Sequence, residues 1–311
     1  MTAIKLSNKV LYEALDIWNK CGRNFSIASR SCGMAKSTFR DRVYAALKIK
    51  TMEEWGFAPP VAQWSYPASE AIDVYGGSVL IGGDAHLWSD NFPVMCKAFI
   101  ALAKKLKPKV IILNGDIIDG ARVSRHGRFL GVNYPRVSDE IEAAQAFVKA
   151  LPVTSQVYWT IGNHDLRVDS YLANIAPELE EYAGRLSDRF PRVTFAYAVQ
   201  INNVEIRHRF RGGIHASWNN ALHSGITMVT NHTHQLSITA VRNRNGTHWG
   251  VETGMLGDPT SPAFEYTEGS PSRRQEGFVL LTFDDDGCLM PPEFCEMIRA
   301  RPVFRGQYLQ V

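Results

Sequence analysis

The 311-residue chain contains no apolar run longer than a β-strand, well short of the roughly 20 residues that a membrane-spanning helix needs, which excludes such a span. Its first residues, Met1-Thr-Ala-Ile-Lys5, offer neither the continuous apolar core nor the small-residue cleavage site of a secretory signal, so the protein is expected to stay in the cytoplasm. Cysteine is sparse and scattered: Cys21, Cys32, Cys96, Cys288 and Cys295 are odd in number and show no paired C-x-x-C spacing. That excludes a disulfide framework and a thiolate zinc site, and the five read as ordinary buried thiols. There is no internal repeat and no low-complexity tract. What remains is a globular composition, 45% hydrophobic and 21% charged, in a chain long enough for one large core plus a small satellite domain.

The net charge of +3 conceals an asymmetry. Residues 1–50 hold ten Lys/Arg against Glu13, Asp16 and Asp41, a net +7 that leaves −4 for the rest of the chain. A basic head on a mildly acidic body points to a polyanionic partner. The head reads as three helices over Ser7–Lys20, Phe25–Ser31 and Lys36–Lys48, with Gly33 at the second break. Ile27, Ala28, Met34, Phe39 and Val43 then fall where a three-helix core would be. The run Gly33 to Val43 resembles the turn and recognition helix of bacterial helix-turn-helix domains, with Ala35 in place of the usual capping Ser. That resemblance implies DNA contact through Lys36, Ser37, Thr38, Arg40 and Arg42.

Residues 51–76, with Pro59, Pro60, Pro67, Trp55, Trp64 and Tyr66, read as a semi-extended connector lying on a larger domain, 77–311. In that domain apolar runs alternate with amphipathic segments. Strands are expected at Ser78–Gly82, Val110–Asn114 and Val157–Ile161, with helices at Asn91–Leu106 and Ser138–Leu151 between them. Strands then dominate: Val193–Val199, Val204–Arg209, Ile226–Thr230, Leu236–Arg242, His248–Thr253 and Phe278–Phe283. Short buried strands covered by helices, followed by hairpins, predict an α/β sandwich of two packed sheets.

Three of the early strands end the same way, handing polar residues straight to a loop. Val79–Ile81 leads to Asp84 and His86, Val110–Leu113 to Asp116 and Asp119, and Tyr158–Ile161 to Asn163 and His164. The carboxyl edge of an open α/β sheet is where ligands bind. Later come a strand-end histidine, for which His208 and His215 are both candidates with His208 fitting the strand-end rule, and the pair His232-Thr-His234. A strand-end Asp or a single His usually has a structural role; the ordered set points to metal ions.

With its Asp84-x-His86, Gly115-Asp116-x-x-Asp119, Gly162-Asn163-His164-Asp165, strand-end His208 and His232-x-His234 in that order, the chain resembles the calcineurin-like metallophosphoesterase family. The resemblance implies a four-layer α-β-β-α sandwich behind the small all-α head. It implies two divalent cations, one held by Asp84, His86, Asp116 and His234, the other by Asp116, Asn163, His208 and His232. A metal-bridged hydroxide would attack phosphorus, His164 would protonate the leaving group, and Asp119 would orient His164. Oxygen and nitrogen ligands without thiolate suit Mn²⁺ first, then Fe, Zn²⁺ or a mixed pair.

Some positions depart from the family pattern. Asn231 stands where the family has Gly, a change expected to be tolerated through a left-handed backbone. Gly120 and Asp165 occupy places where the protein phosphatases carry Arg and Glu, which favours the diesterase and nuclease branches. The loop after Asp119 holds Arg122, Arg125 and Arg128, whose guanidinium forks suit phosphate oxygens. The segment from Asp258 to Gly277 could form a lid or a base-stacking wall. The expected activity is therefore hydrolysis of a nucleic-acid phosphodiester, the head recruiting the substrate. A small phosphomonoester or cyclic nucleotide is one alternative; a DNA-binding regulator with a vestigial metal site is another. A head joined to such a domain also looks like proteins encoded by bacteriophages and prophages, which would place it in a host cytoplasm.

Overall fold

The computed structural model describes residues 6–50, 54–55, 65–126, 129–175, 184–244, 246–267 and 273–311. The chain divides into two compact units, Met1–Ser65 and Tyr66–Val311. Among the described residues no helix is long and apolar enough to cross a membrane.

The first unit is built from α1 (Asn8–Lys20), α2 (Phe25–Ser31) and α3 (Lys36–Leu47). Asn24 caps α2 by accepting from the N–H groups of Ser26 and Ile27, whereas Ala35 leaves α3 without a side-chain cap. Leu11, Leu15, Ala28, Phe39, Val43 and Ala46 close a small apolar core. Ile27 does not join it and is 48% exposed. Neighbouring helical residues point about 100° apart, so a two-turn helix that turns Ala28 inward turns Ile27 out. Trp55 packs on this core and donates its indole N–H to the Ala46 carbonyl at 3.2 Å, so the head extends past residue 50.

The second unit contains β1 (Glu70–Ile72), β2 (Gly77–Gly82), β3 (Val110–Leu113), β4 (Gln156–Thr160), β5 (Val193–Ala196), β6 (Ala198–Ile201) and β7 (Val204–Arg207). These are followed by β8 (Thr227–Thr230), β9 (Leu236–Asn243), β10 (Gly246–Thr253), β11 (Gly277–Phe283), β12 (Glu293–Ile298), β13 (Arg301–Phe304) and β14 (Gln307–Tyr308). Among the described residues its helices are α4 (Val94–Leu106), α5 (Val137–Ala150), α6 (Arg167–Ile175) and α7 (Ala216–Ser224). One sheet has the order β14-β13-β12-β11-β2-β3-β4-β5, the other β1-β6-β7-β8-β10-β9.

Strand alternation sets the layers. Val79, Ile81, Val110, Ile112, Val279 and Leu281 face inward and meet Val199, Ile201, Val204, Ile206, Val229 and Val251 of the other sheet. Their neighbours Leu80, Ile111, Leu113, Phe278 and Leu280 face outward, onto Phe99 and Leu102 of α4 and Phe147 of α5. On the far side α7 lies on the second sheet, Ser217 Oγ bonding Ser237 and Thr239 Oγ of β9, and Gly250 leaving room for the Ser217 carbonyl. The result is the expected α-β-β-α sandwich.

Several boundaries differ from the sequence reading. The connector expected to reach residue 76 gives up β1, which pairs in parallel with β6 from Glu70↔Val199 to Ile72↔Ile201. The single strand expected over Val193–Val199 is two strands in different sheets, β5 beside β4 and β6 beside β7. The chain passes between sheets at Tyr197, whose N–H donates to the Pro67 carbonyl. Every residue of that run is apolar or β-prone, so nothing in the sequence marks the crossing. The first body helix starts at Val94 behind Pro93 instead of at Asn91. Cys96 and Cys295 are buried, but Cys288 is exposed and Cys21 and Cys32 are partly so.

Candidate active site

The parallel strands β2, β3 and β4 of one sheet, and β7 and β8 of the other, all discharge at a common edge. Asp84, His86, Asp116, His232 and His234 hold φ between 44° and 72°. Non-glycine residues visit that left-handed region at a cost of about 1–2 kcal/mol each, and such strain clusters where function over-determines the backbone. Hydrogen bonds keep it there. Asp84 N–H donates to the Gly115 carbonyl, His86 N–H to the Asp116 carbonyl, and His232 N–H to Asp84 Oδ2 at 2.8 Å. The glycines of two motifs are sterically required: a Cβ on Gly115 would enter the His208 ring, and one on Gly162 would overlap the Asp116 carboxylate. Asn231 is not left-handed as expected. It bonds Thr253 through its side chain, and the next residue, His232, takes the positive φ.

Two groups of side chains could each hold a cation, their ligand atoms within 4.8 Å of one another: Asp84, His86 and His234, and Asp116, His208 and His232. His234 Nε2 is 3.4 Å from Asp84 Oδ1, and His208 Nε2 is 3.1 Å from Asp116 Oδ2. Asp116 touches the first group through its carbonyl, which accepts from His86 N–H at 3.1 Å. A third group, His86, Asp119 and His164, lies alongside.

Asp84 Oδ1, His86 Nε2 and Asn163 Oδ1 are buried and make no hydrogen bond, and His208 Nε2 faces the Asp116 carboxylate at 3.1 Å. Buried lone pairs left without a proton donor are costly, and three of them on expected ligands fit a pair of cations. The histidines are aimed from behind. His208 Nδ1 bonds the Asn114 carbonyl at 2.9 Å, and His86 Nδ1 faces Asp119 Oδ1 at 3.4 Å, the outer-shell arrangement of metal-ligating imidazoles. Of the two candidates for the strand-end motif, His208 is in this cluster, while His215 is exposed at the start of α7.

The electrostatics match a site built for positive charge. Burial alone would lower His208, but the Asp116 carboxylate pushes it up to about 10. His232, buried and facing a charged His208, falls to about 4. Burial raises Asp116, yet His208 and His164 hold it well below the usual carboxylate range.

His164 Nδ1 bonds Asp119 Oδ1 at 2.7 Å, and Trp88 Nε1–H donates to Asp119 Oδ2 at 2.9 Å. Three further residues, to which no role was assigned from sequence, hold this arrangement. Asp165 is buried and accepts from the N–H groups of Asp116, Ile117 and Gly162 and from the Trp159 indole, which joins two motif loops. Glu140 is buried and accepts from the N–H groups of Asp119, Gly120 and Ala121. In the sequence it falls in the first turn of the expected Ser138–Leu151 helix, where an acid is commonplace. Arg167 sends Nη1 to the Asp119 carbonyl at 2.8 Å and Nη2 to His164 Nε2 at 3.0 Å. Its stem fills the space that a Cβ on Gly120 would take. The only sequence signal for Arg167 was its position three residues beyond His164.

The arginine loop is arranged differently. Arg122 donates Nε and Nη2 to the Tyr134 carbonyl, tying the loop to itself. Arg125 is exposed, and Arg128 lies outside the described residues. On α3 of the head, Lys36, Ser37, Thr38 and Arg40 are exposed and Arg42 is half-buried.

Clustered Asp, His and Asn ligands at the carboxyl edge of a two-sheet sandwich define a metal-dependent hydrolase of phosphate esters. Residues 77–251, more than half of the chain, match the model of the calcineurin-like phosphoesterase family, and the protein belongs to that family. The family usually binds a dinuclear metal centre. The "Gene 54 protein" of Mycobacterium phage D29 is 26% identical over 240 residues, covering 69% of this chain and 92% of that protein. The "Gene 54 protein" of Mycobacterium phage L5 is 26% identical over 243 residues, with the same coverage. Among solved structures, the phosphoesterase Yfce from E. coli aligns over 69% of this chain and 97% of its own, at 13% identity and a TM-score of 0.31.

Proposed function

We propose that the protein is a phosphodiesterase acting on nucleic acid. Asp84, His86, Asp116 and His234 hold one divalent cation, and Asp116, Asn163, His208 and His232 hold the second, with Mn²⁺ the working ion and Fe, Zn²⁺ or a mixed pair compatible with the same donors. Once bound, the cations neutralise phosphate charge and supply an activated water. The observation behind this reading is the set of buried, unbonded lone pairs on Asp84, His86 and Asn163.

His164 is the proton donor. With Nδ1 committed to Asp119, only Nε2 can serve a leaving-group oxygen. Asp119 fixes the ring's orientation, and Glu140 and Asp165 fix the loops that present both groups. Arg167 donates Nη2–H to that same Nε2, which marks where a phosphate oxygen is received; once the guanidinium moves to the phosphate, Nε2 is free to take up a proton from water and deliver it to the leaving-group oxygen. In the head, the exposed row Lys36, Ser37, Thr38 and Arg40, with Arg42 beside it, recruits the polyanion.

The test compares Mn²⁺-loaded wild type with a full-length Lys36→Glu/Arg40→Glu variant on single-stranded DNA, on a nucleoside monophosphate and on bis-p-nitrophenyl phosphate. Slower DNA hydrolysis with an unchanged rate on the dye is the expected result. Turnover of the dye or the monophosphate with none of DNA or RNA would make the substrate a small ester.

A further inference from the structure

The segment from Arg207 to Ser224, which leaves the metal site at His208 and ends α7, contains three arginines and three histidines and no carboxylate. It belongs to a chain whose residues after the head carry net −4. Large apolar side chains are interleaved with that charge: Phe210 is 38% exposed, Ile214 62%, Trp218 43% and Leu222 52%. Arg207 lies over the Phe210 ring at 5.7 Å. The inner side of α7 is used up on the sheet, with Ser217, Asn220 and Ala221 buried, so Trp218 and Leu222, four residues apart, share the outer side.

The segment is held close to the ligands. Asn220 accepts from Arg211 N–H at 3.1 Å and donates to Thr230 Oγ1 at 3.0 Å, at the end of the strand that leads to His232. Gln235, next to His234, donates to the Gly213 carbonyl at 3.1 Å. An exposed aromatic surface whose neighbouring carboxylate, Glu205, is paired with Arg207 at 3.3 Å while Arg209 and Arg211 stand exposed, tied to a phosphoester site, suits one occupant chemistry above others. Unpaired bases stack on rings whatever their sequence while arginines follow the backbone, whereas a duplex keeps its base faces hidden.

We infer that Arg209–His215 and the outer face of α7 form a platform for single-stranded nucleic acid, with bases stacked on Phe210 and Trp218 and phosphates met by Arg209 and Arg211. This rests on the reading that the substrate is nucleic acid. The platform feeds the strand toward His208 and His232, so it sets the affinity for long substrates and leaves the chemical step alone.

The experiment uses the full-length, Mn²⁺-loaded protein, with Phe210→Ala/Trp218→Ala and Phe210→Tyr/Trp218→Tyr as variants. KM for a dT oligonucleotide is expected to rise about tenfold or more in the alanine variant and to recover with tyrosine, which still stacks. Turnover of bis-p-nitrophenyl phosphate should stay within about twofold, which reports an intact fold and centre. An oligonucleotide KM that the alanine variant leaves unchanged, equal losses on both substrates, or no recovery with tyrosine overturns the platform. Fluorescence anisotropy with the same oligonucleotide separates the two claims. Binding without cleavage, weakened in the alanine variant, would remove the nuclease reading and keep the platform; cleavage that ignores both substitutions would do the reverse.

Discussion

Removing the Asp165 carboxylate should disable two ligand loops at once. Its two oxygens receive four donors: Asp116 N–H at 2.9 Å, Gly162 N–H at 2.8 Å and the Trp159 indole at 2.9 Å on Oδ2, and Ile117 N–H at 3.1 Å on Oδ1. In Asp165→Ala all four are left buried, and at the low end of about 1 kcal/mol for each unsatisfied donor the loss is about 4 kcal/mol. That is a large fraction of the 5–15 kcal/mol typical of a whole domain. In Asp165→Asn the remaining oxygen still serves the three donors on its side, and one N–H faces an amide N–H₂, so the expected loss is about 1–3 kcal/mol. Both variants loosen Asp116 and Gly162, and outer-shell losses of this kind typically weaken metal binding by about 10–100-fold. Urea denaturation of the metal-free protein measures the first quantity, and Mn²⁺ titration calorimetry the second. Stability of Asp165→Ala within about 1 kcal/mol of wild type, with Mn²⁺ affinity preserved, would refute the claim that this carboxylate organises the site.

Three further outcomes are expected. Burial, aided by the charge of Asp119, raises Glu140 to about 7 from its ordinary 4.5, so the folded state binds more protons than the unfolded state between those values and stability falls as pH rises through that window. Full expression of the shift is about 3 kcal/mol. Glu140→Gln should therefore reduce the difference in urea midpoint between pH 5 and pH 7.5 by the share of Glu140, while those of Asp165, raised to about 6, of Glu252 and Glu276, also raised to about 7, and of the shifted site histidines remain; an unaltered slope would count against it. Arg167→Ala should lower kcat/KM on a diester by about 10–100-fold, the value of a charge-assisted hydrogen bond, and a steady-state assay showing less than a threefold change would exclude a phosphate contact. Gly120→Ala should mimic that loss, because the new Cβ meets the Arg167 stem and Gly120 sits at φ 61°; wild-type rates in this variant would show that the stem's position is unimportant.

Much of this architecture is legible in the sequence, because both the core and the candidate ligands follow strand periodicity. An apolar run that ends in Gly-Asp or Gly-Asn-His announces a strand and its burial together, and Asp84, His86, Asp116 and Asn163 lie at the strand ends it marks; His208, His232 and His234, named through the family resemblance, are grouped with Asp84, His86 and Asp116. The legibility stops where a residue's task depends on distant partners. Glu140 looked like a helix-start acid because its three backbone donors lie 19 to 21 positions earlier in the chain. Arg167 resembled any solvated helix residue, while Arg122, which looked like a phosphate grip, closes its own loop on Tyr134. Ile27 was placed inside by hydrophobicity, but a two-turn helix has one inner side and Ala28 occupies it. The crossing at Tyr197 left no mark at all, since an apolar run reads alike whether it stays in one sheet or passes to another.

The most direct test counts the divalent cations bound per chain, by elemental analysis of Mn²⁺-loaded wild type and of Asp116→Ala after dialysis. Two in the wild type, with occupancy of both sites lost or weakened when the shared carboxylate is removed, is the expected result. One or none in the wild type, or two retained in Asp116→Ala, would contradict a paired centre joined at Asp116.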